Sequence, residues 1–269
     1  MKIRFTTAPE TPPELLLWLE GAGASLSRLA HHVSTEPAGL LLDGRGASAV
    51  AGAHPDPDRA VMLEVEGEFR GSIRLDEMRG EVVATDREGQ EGRSPFVVSA
   101  ASFPAPRRGG SATRVLVRGS KDAADRRLRM LVKVVAEIRR RNVAHLFVCH
   151  GPFAPDVRSP GTFDEQYVDL RSDEWASLLA GAAAVLETSD VPGIVSPECR
   201  AALCLGVPVV THRAVAARDE ARGVFACDDW NADAFADTLS VATLDRRFEP
   251  SVDVERVLSD SLRFFGIGI

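Results

Sequence analysis

The sequence has 269 residues, 45% of them hydrophobic and 26% charged, which favours two domains or one large one and is typical of soluble globular proteins. The formal net charge of −7 argues against a nucleic-acid partner, because such binding depends on neutralising phosphates. The four cysteines form no Cys-x-x-Cys pair, so neither a zinc site nor a disulfide framework is expected. No apolar run approaches the roughly 18 residues of a membrane span and no signal peptide is recognisable, which predicts a cytoplasmic protein.

Residues 1–108 are predicted to form a small N-terminal α/β domain. Its predicted strands are KIRFTT, AGLLLDG, AVMLEVEG, GEVVATD and PFVVSA, and its one long helix lies in PPELLLWLEGAGASLSRLAHH. The segment SFPAPRRGGSA that follows is rich in Pro, Gly and Ser, as linkers often are. We therefore expect a domain boundary in this segment.

Residues 109–250 are predicted to form a Rossmann-like domain. The predicted strands are TRVLVRG, AHLFVCHG, EQYVDL, AAVLET, VPVVTHR and GVFACD, and the predicted helices include DAADRRLRMLVKVVAEIRRR, SDEWASLLAGA and NADAFADTLSVATL. Short apolar strands that alternate with helices indicate a parallel sheet covered on both faces. Residues 251–269 are predicted to form a C-terminal helix that packs back on the domain junction, because their apolar residues recur at helical spacing.

The stretch SDVPGIVSPECRAALCLGVPVV contains the most informative pattern. Asp190 and Gly193 follow the strand AAVLET, and in an open parallel sheet ligands bind beyond the carboxyl ends of the strands. Ser196 is expected to cap a helix in which Pro197 comes first and Glu198 lies beside the positive end of the helix dipole. Any well-capped helix favours that order, so Glu198 also has a purely structural interpretation. The N–H groups of such a helix end can equally bind an anion.

These residues resemble the second domain of GT-B glycosyltransferases, in particular the retaining nucleotide-sugar enzymes of glycosyltransferase family 4. The family signature is an acid, a glycine three residues later, a second acid eight residues after the first, a helix, and Gly-x-Pro-Val-Val. Asp190, Gly193, Glu198 and GVPVV occupy that order. The segments VLVRGSK, LFVCHGP and SDEWASLLAGAAAVLETS extend the resemblance over residues 113–269. It implies an α/β fold with two Rossmann-like domains (GT-B-like), the first reduced in size and on the acceptor side.

The sequence departs from the family pattern in three ways. The first acid is Asp190 rather than Glu, and ECRAALCLG has three more residues between the second acid and the glycine than the family has. One extra helical turn would absorb most of that shift, whereas an alignment anchored on Gly206 would put Ala201 at the second acidic position. In the first domain, IRFTTAPETPPELLL has prolines where the family has a glycine-rich turn.

The resemblance implies a role for each site residue. It implies that Glu198 binds the ribose hydroxyls of the donor and that Asp190 binds a hydroxyl of the transferred sugar. Arg118 and Lys121 are the candidates for binding the donor phosphates. The other donor-binding candidates are Gly151, Gly193 and Ser196, and His150 is a further candidate at the nucleotide pocket. For both basic residues an ordinary solvated surface position is the competing interpretation. The family generally needs no metal ion or other cofactor, and Asp56-Pro57-Asp58 is interpreted as a turn rather than a metal site.

The leading functional hypothesis is a glycosyltransferase, specifically a hexosyltransferase, that moves a sugar with retention from a nucleotide-diphosphate donor to an unknown acceptor. The alternative is a catalytically inactive GT-B-like protein that acts as a partner or regulator of a transferase, because a fold does not prove an activity. A dehydrogenase is disfavoured, since no Gly-x-Gly-x-x-Gly follows a predicted strand. The expected partners are thus the nucleotide-sugar donor and an unknown acceptor, with a protein partner under the alternative hypothesis.

Overall fold

The structure is a computed structural model, and it describes residues 1–8, 10–29, 31–37, 60–77, 79–100, 103, 113–119, 125–151, 162–168, 170–190, 192, 195–216, 223–244 and 253–267. The chain divides into two compact units, Met1–Ser102 with Asp253–Ile269, and Phe103–Val252. The predicted strand AGLLLDG, most of the predicted linker, Lys121 and Gly193 lie outside the described residues.

The strands and helices, taken in chain order, cover most of the described residues. The strands are β1 (Lys2–Thr7), β2 (His32–Pro37), β3 (Val61–Val65), β4 (Glu68–Asp76), β5 (Glu81–Asp86), β6 (Glu91–Pro95), β7 (Thr113–Arg118), β8 (His145–His150), β9 (Glu165–Tyr167), β10 (Ala184–Leu186), β11 (Val209–His212) and β12 (Val224–Cys227). The helices are α1 (Pro13–Arg28), α2 (Arg126–Arg140), α3 (Ser172–Gly181), α4 (Pro197–Cys204), α5 (Arg213–Ala216), α6 (Ala232–Ala242) and α7 (Val254–Arg263). Within the described ranges, no helix combines the length and the apolar character that crossing a bilayer requires.

The first unit is built on a six-stranded sheet in the order β2-β1-β3-β4-β5-β6. Only the β1–β2 pair is parallel, and the other pairs are antiparallel. Glu66 and Gly67, both with positive φ, form the two-residue turn between β3 and β4. Such a short connection permits only antiparallel pairing, so the sheet is mixed rather than parallel throughout.

The prediction of a strand at PFVVSA is wrong. The last strand of this sheet is β6, which ends at Pro95, and Phe96, Val97 and Val98 follow it outside any strand. The N–H of Phe96 donates to the carbonyl of Gly80 at 2.8 Å, and the three apolar side chains are buried at 0–1% exposure. These three residues are therefore apolar because they pack in the core of the unit, and not because they belong to a half-buried strand.

The C-terminal helix α7 belongs to the first unit, where it contacts α1 and β6. The hydroxyls of Ser261 in α7 and Ser94 in β6 are 2.7 Å apart. Phe264 and Phe265 follow the helix and lie against Gly92 and Gly71, where any larger residue would meet their rings. Glycines in β4 and β6 thus make room for the two aromatic side chains.

The second unit contains the predicted parallel sheet, in the order β12-β11-β10-β7-β8-β9, with every pair parallel. This is the strand order of the Rossmann fold. Helices α2 and α6 contact each other and bury their apolar stripes with strand residues in one cluster that includes Val115, Val117, Leu128, Leu131, Val135, Phe235 and Leu239. The amphipathic pattern of DAADRRLRMLVKVVAEIRRR therefore predicted both the helix and its buried face.

Candidate active site

The candidate site lies at the point where the strand order of the second sheet reverses. From β7 the chain continues to β8 and β9 on one side, and then returns to β10, β11 and β12 on the other. At such a reversal the connections from the two central strands leave toward opposite sides, so a crevice is expected at the carboxyl ends of β7 and β10. A pocket lies there, lined by residues that include Arg118, Gly119, Asp125, Arg127, His150, Glu187, Thr188, Ser196 and Glu198.

Glu198 is the most buried carboxylate of this pocket, with an exposed fraction of 1%. Its Oε1 accepts a hydrogen bond from the guanidinium of Arg118 at 2.6 Å. Although burial would raise the pKa of Glu198, the charge of Arg118 and this hydrogen bond hold that pKa below its ordinary value. Glu198 is therefore an ionised carboxylate that lines the pocket, rather than a helix residue exposed to solvent.

His150, the last residue of β8, is the third member of this cluster. It is buried, and its Nε2 lies 3.4 Å from Oε1 of Glu198. Burial lowers the pKa of His150 to about 4, so the imidazole is neutral at pH 7 and the contact is not an ion pair. Nε2 of His150 and Oε2 of Glu198 find no hydrogen-bond partner in the part of the chain that the structure describes. Two buried polar atoms of this kind indicate a site for a polar ligand.

The backbone around Arg118 fixes the position of this cluster. Gly119 donates its N–H to the carbonyl of His150 at 2.8 Å, which ties the ends of β7 and β8 together. Gly151 has a φ of +89°, and a Cβ built on it would lie 3.7 Å from Cγ of Arg118. Gly151 therefore lies directly beside the arginine, in a backbone conformation that favours glycine.

Helix α4 begins at the pocket as the sequence predicts. Ser196 is its N-cap and accepts the N–H of Cys199 at 3.4 Å, Pro197 is the first helical residue, and Glu198 is in the first turn. The N-terminal end of a helix carries a partial positive charge and N–H groups that bind anions. The pocket therefore combines this helix end with the Arg118 guanidinium.

Asp190 does not line this pocket. Its carboxylate pairs with Arg126 at 3.1 Å, and the Arg126 guanidinium in turn lies 4.6 Å from the centre of the Trp230 ring. The indole N–H of Trp230 donates to the carbonyl of Thr188 at 2.9 Å, which holds the ring in place. The structure therefore brings together Arg118, Gly151, Ser196 and Glu198 of the predicted site residues and places Asp190 in a neighbouring ion pair.

Glu187 is a residue of the pocket that sequence analysis missed. It directly follows β10 and is 7% exposed, and its Oε1 accepts the N–H of Ser189 at 3.1 Å. Burial raises the pKa of Glu187, and the nearby charge of Arg127 offsets only part of that effect. An acid at the end of a buried apolar strand was the signal that could have identified it.

Arg127 is the second basic residue of the pocket and was also missed. Its guanidinium donates through Nε and NH2 to the carboxylate of Asp125, with a shortest distance of 2.7 Å. These hydrogen bonds raise the pKa of Arg127. In the sequence Arg127 belongs to the basic run RRLRMLVKVVAEIRRR, which predicts a solvated helix face. The structure shows that the first turn of α2, which contains Arg127, instead contributes to the pocket.

The arrangement is suited to binding a ligand that has both an anionic part and hydroxyl groups. Arg118, Arg127 and the first turn of α4 provide positive charge and N–H donors. Carboxylates such as Glu198 accept hydroxyl hydrogen bonds, and charge-assisted bonds of this kind are the stronger ones. Within the described residues, no cluster of three or more metal-ligating side chains is present.

No protein-family model and no curated protein sequence matches the chain. Among solved structures, the chain is similar to AviGT4, a glycosyltransferase involved in avilamycin A biosynthesis, with a TM-score of 0.56 and 15% identity over 99% of this chain and 98% of that one. This similarity shows a shared fold. The expected fold class, α/β with two domains of the GT-B kind, is therefore confirmed.

Two further structures overlap with part of the chain. WaaG, a glycosyltransferase involved in lipopolysaccharide biosynthesis, gives a TM-score of 0.41 at 14% identity over 59% of this chain and 48% of that one. The UDP-forming α,α-trehalose-phosphate synthase from Burkholderia xenovorans, in complex with glucose-6-phosphate, gives 0.39 at 14% identity over 72% and 52%. The chain thus spans about half the length of these two proteins, and the fold assignment rests on AviGT4.

Proposed function

We propose that the protein is a glycosyltransferase that moves a sugar from a nucleotide-diphosphate donor to an acceptor, with retention at the anomeric carbon. The observation that carries the proposal is the ion pair between the partly exposed Arg118 and the buried Glu198 at the N-terminal end of α4. It lies at the strand-order reversal of a Rossmann-type sheet, in a chain with the fold of a glycosyltransferase. Membership of family 4 and transfer of a hexose stay predictions.

In this proposal the Arg118 guanidinium and the N–H groups at the start of α4 stabilise the departing diphosphate. Breaking the sugar–phosphate bond builds negative charge on the leaving phosphate, so donors aimed at that phosphate lower the barrier. Arg118 and the first-turn N–H groups of α4, with Ser196 as cap, take this role. The charge comes from these groups rather than from a metal ion, so donor binding should persist in the presence of EDTA.

Two carboxylates, those of Glu198 and Asp190, bind hydroxyl groups of the donor in this proposal. Oε2 of Glu198 accepts from the ribose, since Oε1 is already bonded to Arg118. Gly151 lets the turn after β8 approach the nucleoside, and Asp190 takes a sugar hydroxyl. Lys121 and Gly193, which lie outside the described residues, stay predicted members of the site.

Calorimetric titration with UDP, GDP and ADP tests the proposal. At least one of them should bind, and Glu198→Gln should weaken that binding by about tenfold to a hundredfold, because a charge-assisted hydrogen bond is replaced by a neutral one. Glu165→Gln is the matched control: Glu165 is a partly exposed carboxylate of β9 that pairs with Arg114. If folded protein binds no nucleoside diphosphate, the proposal fails.

The role of Asp190 predicts a different pattern of effects. Asp190→Ala should weaken binding of a nucleotide-diphosphate sugar and slow transfer by about tenfold to a hundredfold, while leaving the affinity for the nucleoside diphosphate unchanged. The reason is that the nucleoside diphosphate lacks the sugar that Asp190 is proposed to hold. Equal losses for both ligands would contradict this role and point to the Arg126 pair as a structural contact.

A further inference from the structure

Glu187 occupies a central position in the candidate site that the proposed function leaves without a role. It directly follows β10 at the strand-order reversal and lines the same pocket as Arg118 and Glu198. Only 7% of the residue is exposed. Because its Oε1 accepts the N–H of Ser189 at 3.1 Å, the side chain is held in place rather than mobile.

Among the described residues that line the pocket, the charges are balanced before Glu187 is counted. Arg118 pairs with Glu198 at 2.6 Å, and Arg127 pairs with Asp125 at 2.7 Å. An ionised Glu187 would therefore give these described lining residues a net negative charge. A diphosphate that entered such a pocket would meet electrostatic repulsion from a poorly solvated carboxylate.

The groups that face Glu187 from the surrounding elements favour its neutral form. Burial raises the pKa of Glu187, and the charge of Glu198 in α4 raises it further. The charge of Arg127 in α2 lowers it, as do hydrogen bonds from the N–H of Ser189 and the hydroxyl of Ser196, and the net shift is upward. Arg118 from β7 is engaged with Glu198. His150 from β8 is neutral because burial lowers its pKa, and the Cys199 thiol of α4 is protonated because burial raises its pKa.

We propose that Glu187 contacts the ligand in this pocket. As a neutral acid, Glu187 donates its own O–H to a phosphate oxygen of the donor. The inference rests on the proposed function, since it takes the donor diphosphate as the ligand. A neutral carboxylic acid removes the repulsion and adds one hydrogen-bond donor beside the Arg118 guanidinium. When Glu187 is ionised in the ligand-free protein, binding must take up one proton from solvent.

The unpartnered polar atoms support a ligand at this place independently of Glu187. Nε2 of His150 and Oε2 of Glu198 are both buried in the pocket and lack hydrogen-bond partners among the described residues. A buried polar atom of this kind costs free energy unless a ligand or water satisfies it. The pocket therefore presents groups for the hydroxyl part of a ligand beside groups for its anionic part.

Titration calorimetry with UDP-glucose, GDP-mannose and ADP-glucose tests the proposal. These probes suit the test because both of their phosphates are diesters, which do not titrate near neutral pH. Measuring the binding enthalpy in buffers of different ionisation enthalpy gives the number of protons taken up. We expect uptake that approaches one proton per ligand as the pH rises, and a Kd that increases about tenfold per pH unit above the pKa of Glu187.

Glu187→Gln is the decisive variant, because the amide N–H₂ is a donor without a titrating proton. It should bind the same probe at a Kd that no longer depends on pH, with no proton uptake. Glu187→Ala should also show no uptake, but should bind about tenfold more weakly because the donor is lost. Circular dichroism and thermal unfolding would establish that each variant is folded.

Three results would overturn the inference. The first is proton uptake by Glu187→Gln equal to that of the wild type, and the second is uptake that disappears in His150→Gln but persists in Glu187→Gln. The third is binding of a probe to wild-type protein with no uptake at any pH, which would leave the proposed function intact. Failure of the folded protein to bind all three probes would overturn the proposed function together with the inference.

Discussion

Replacing Arg118 with alanine is expected to lower kcat/KM for sugar transfer by about a hundredfold to a thousandfold. This is the typical cost of removing one hydrogen-bond donor that stabilises charge in a transition state. Arg118 is the last residue of β7, and its guanidinium bonds the buried Glu198 at the N-terminal end of α4. Kinetics with the donor that binds in calorimetry would measure the effect.

Arg114→Ala is the matched control for this experiment. Arg114 lies in the same strand, near its opposite end, and pairs with Glu165 at 3.1 Å with 47% of its side chain exposed. Exposed ion pairs contribute about 0–1 kcal/mol to stability, so this variant should stay folded. Because Arg114 does not line the pocket, the variant should also retain wild-type kinetics. Equal activity of Arg114→Ala and Arg118→Ala would contradict the assignment of Arg118 to the site.

The Arg118→Ala variant should also be less stable, because it leaves a carboxylate buried without its partner. Breaking a buried ion pair from one side typically costs about 3–5 kcal/mol. The double variant Arg118→Ala with Glu198→Gln removes the orphaned charge, so it should recover much of the free energy of unfolding but not the donor binding. Recovery of both properties would show that Arg118 acts only on the fold.

The second unit was predictable from sequence because its local and tertiary signals agree. The stripe of Leu128, Leu131, Val135 and Ile138 predicts α2 and its buried face, and all four side chains are buried. Each of the strands from β7 to β12 lies within a predicted strand, and all of them except the edge strand β9 are mainly apolar or buried. Parallel strands that are buried on both faces are apolar along their length, which makes them easy to recognise.

The first unit was less predictable because its strands carry few of these signals. The sequence of β4 is EFRGSIRLD and that of β6 is EGRSP, so neither shows a clear apolar alternation. Their strand conformation comes from antiparallel pairing, with Ser72 opposite Thr85 and Arg93 opposite Val83. Pairing partners of this kind are tertiary information that a local pattern does not contain.

The residues of the candidate site also differ in whether a local sequence pattern could identify them. Ser196 and Glu198 were predicted because a helix start has a local signature, and Arg118 because it ends a recognisable strand. Glu187 and Arg127 were missed because their importance depends on which loops meet at the strand-order reversal. The pairing of Asp190 with Arg126, 64 residues away in sequence, could not be inferred from spacing for the same reason.

Replacing Gly71 with alanine is expected to destabilise the first unit by about 3 kcal/mol or more, a size typical of severe steric or backbone strain. Its φ is +156°, and a Cβ would overlap the carbonyl oxygen of Thr85 on the paired strand and approach Cε1 of Phe265 to 2.8 Å. Thr85 cannot move aside easily, because the obstructing atom is backbone in the β4–β5 ladder. Thermal and urea unfolding would measure the loss.

Gly67→Ala separates the steric part of this effect from the backbone part. Gly67 has a φ of +82° in the turn between β3 and β4, and a Cβ there would meet nothing within 4 Å. Alanine at this position should therefore cost only about 1–2 kcal/mol, the usual penalty of a left-handed conformation. Unfolding of Gly71→Ala at the same temperature as Gly67→Ala would contradict the steric argument.

Gly92→Ala should fall between these two variants, because the obstructing atoms belong to a side chain. A Cβ at Gly92 would lie 2.5 Å from Cδ2 of Phe264, which can turn away at the cost of its packing on β6. Overpacking of this kind typically costs about 1–3 kcal/mol. Truncating the ring in Gly92→Ala with Phe264→Leu should relieve the overlap, so the double variant should lose less stability than the sum of the single changes. Strict additivity would show that the C-terminal aromatic pair does not pack on these glycines.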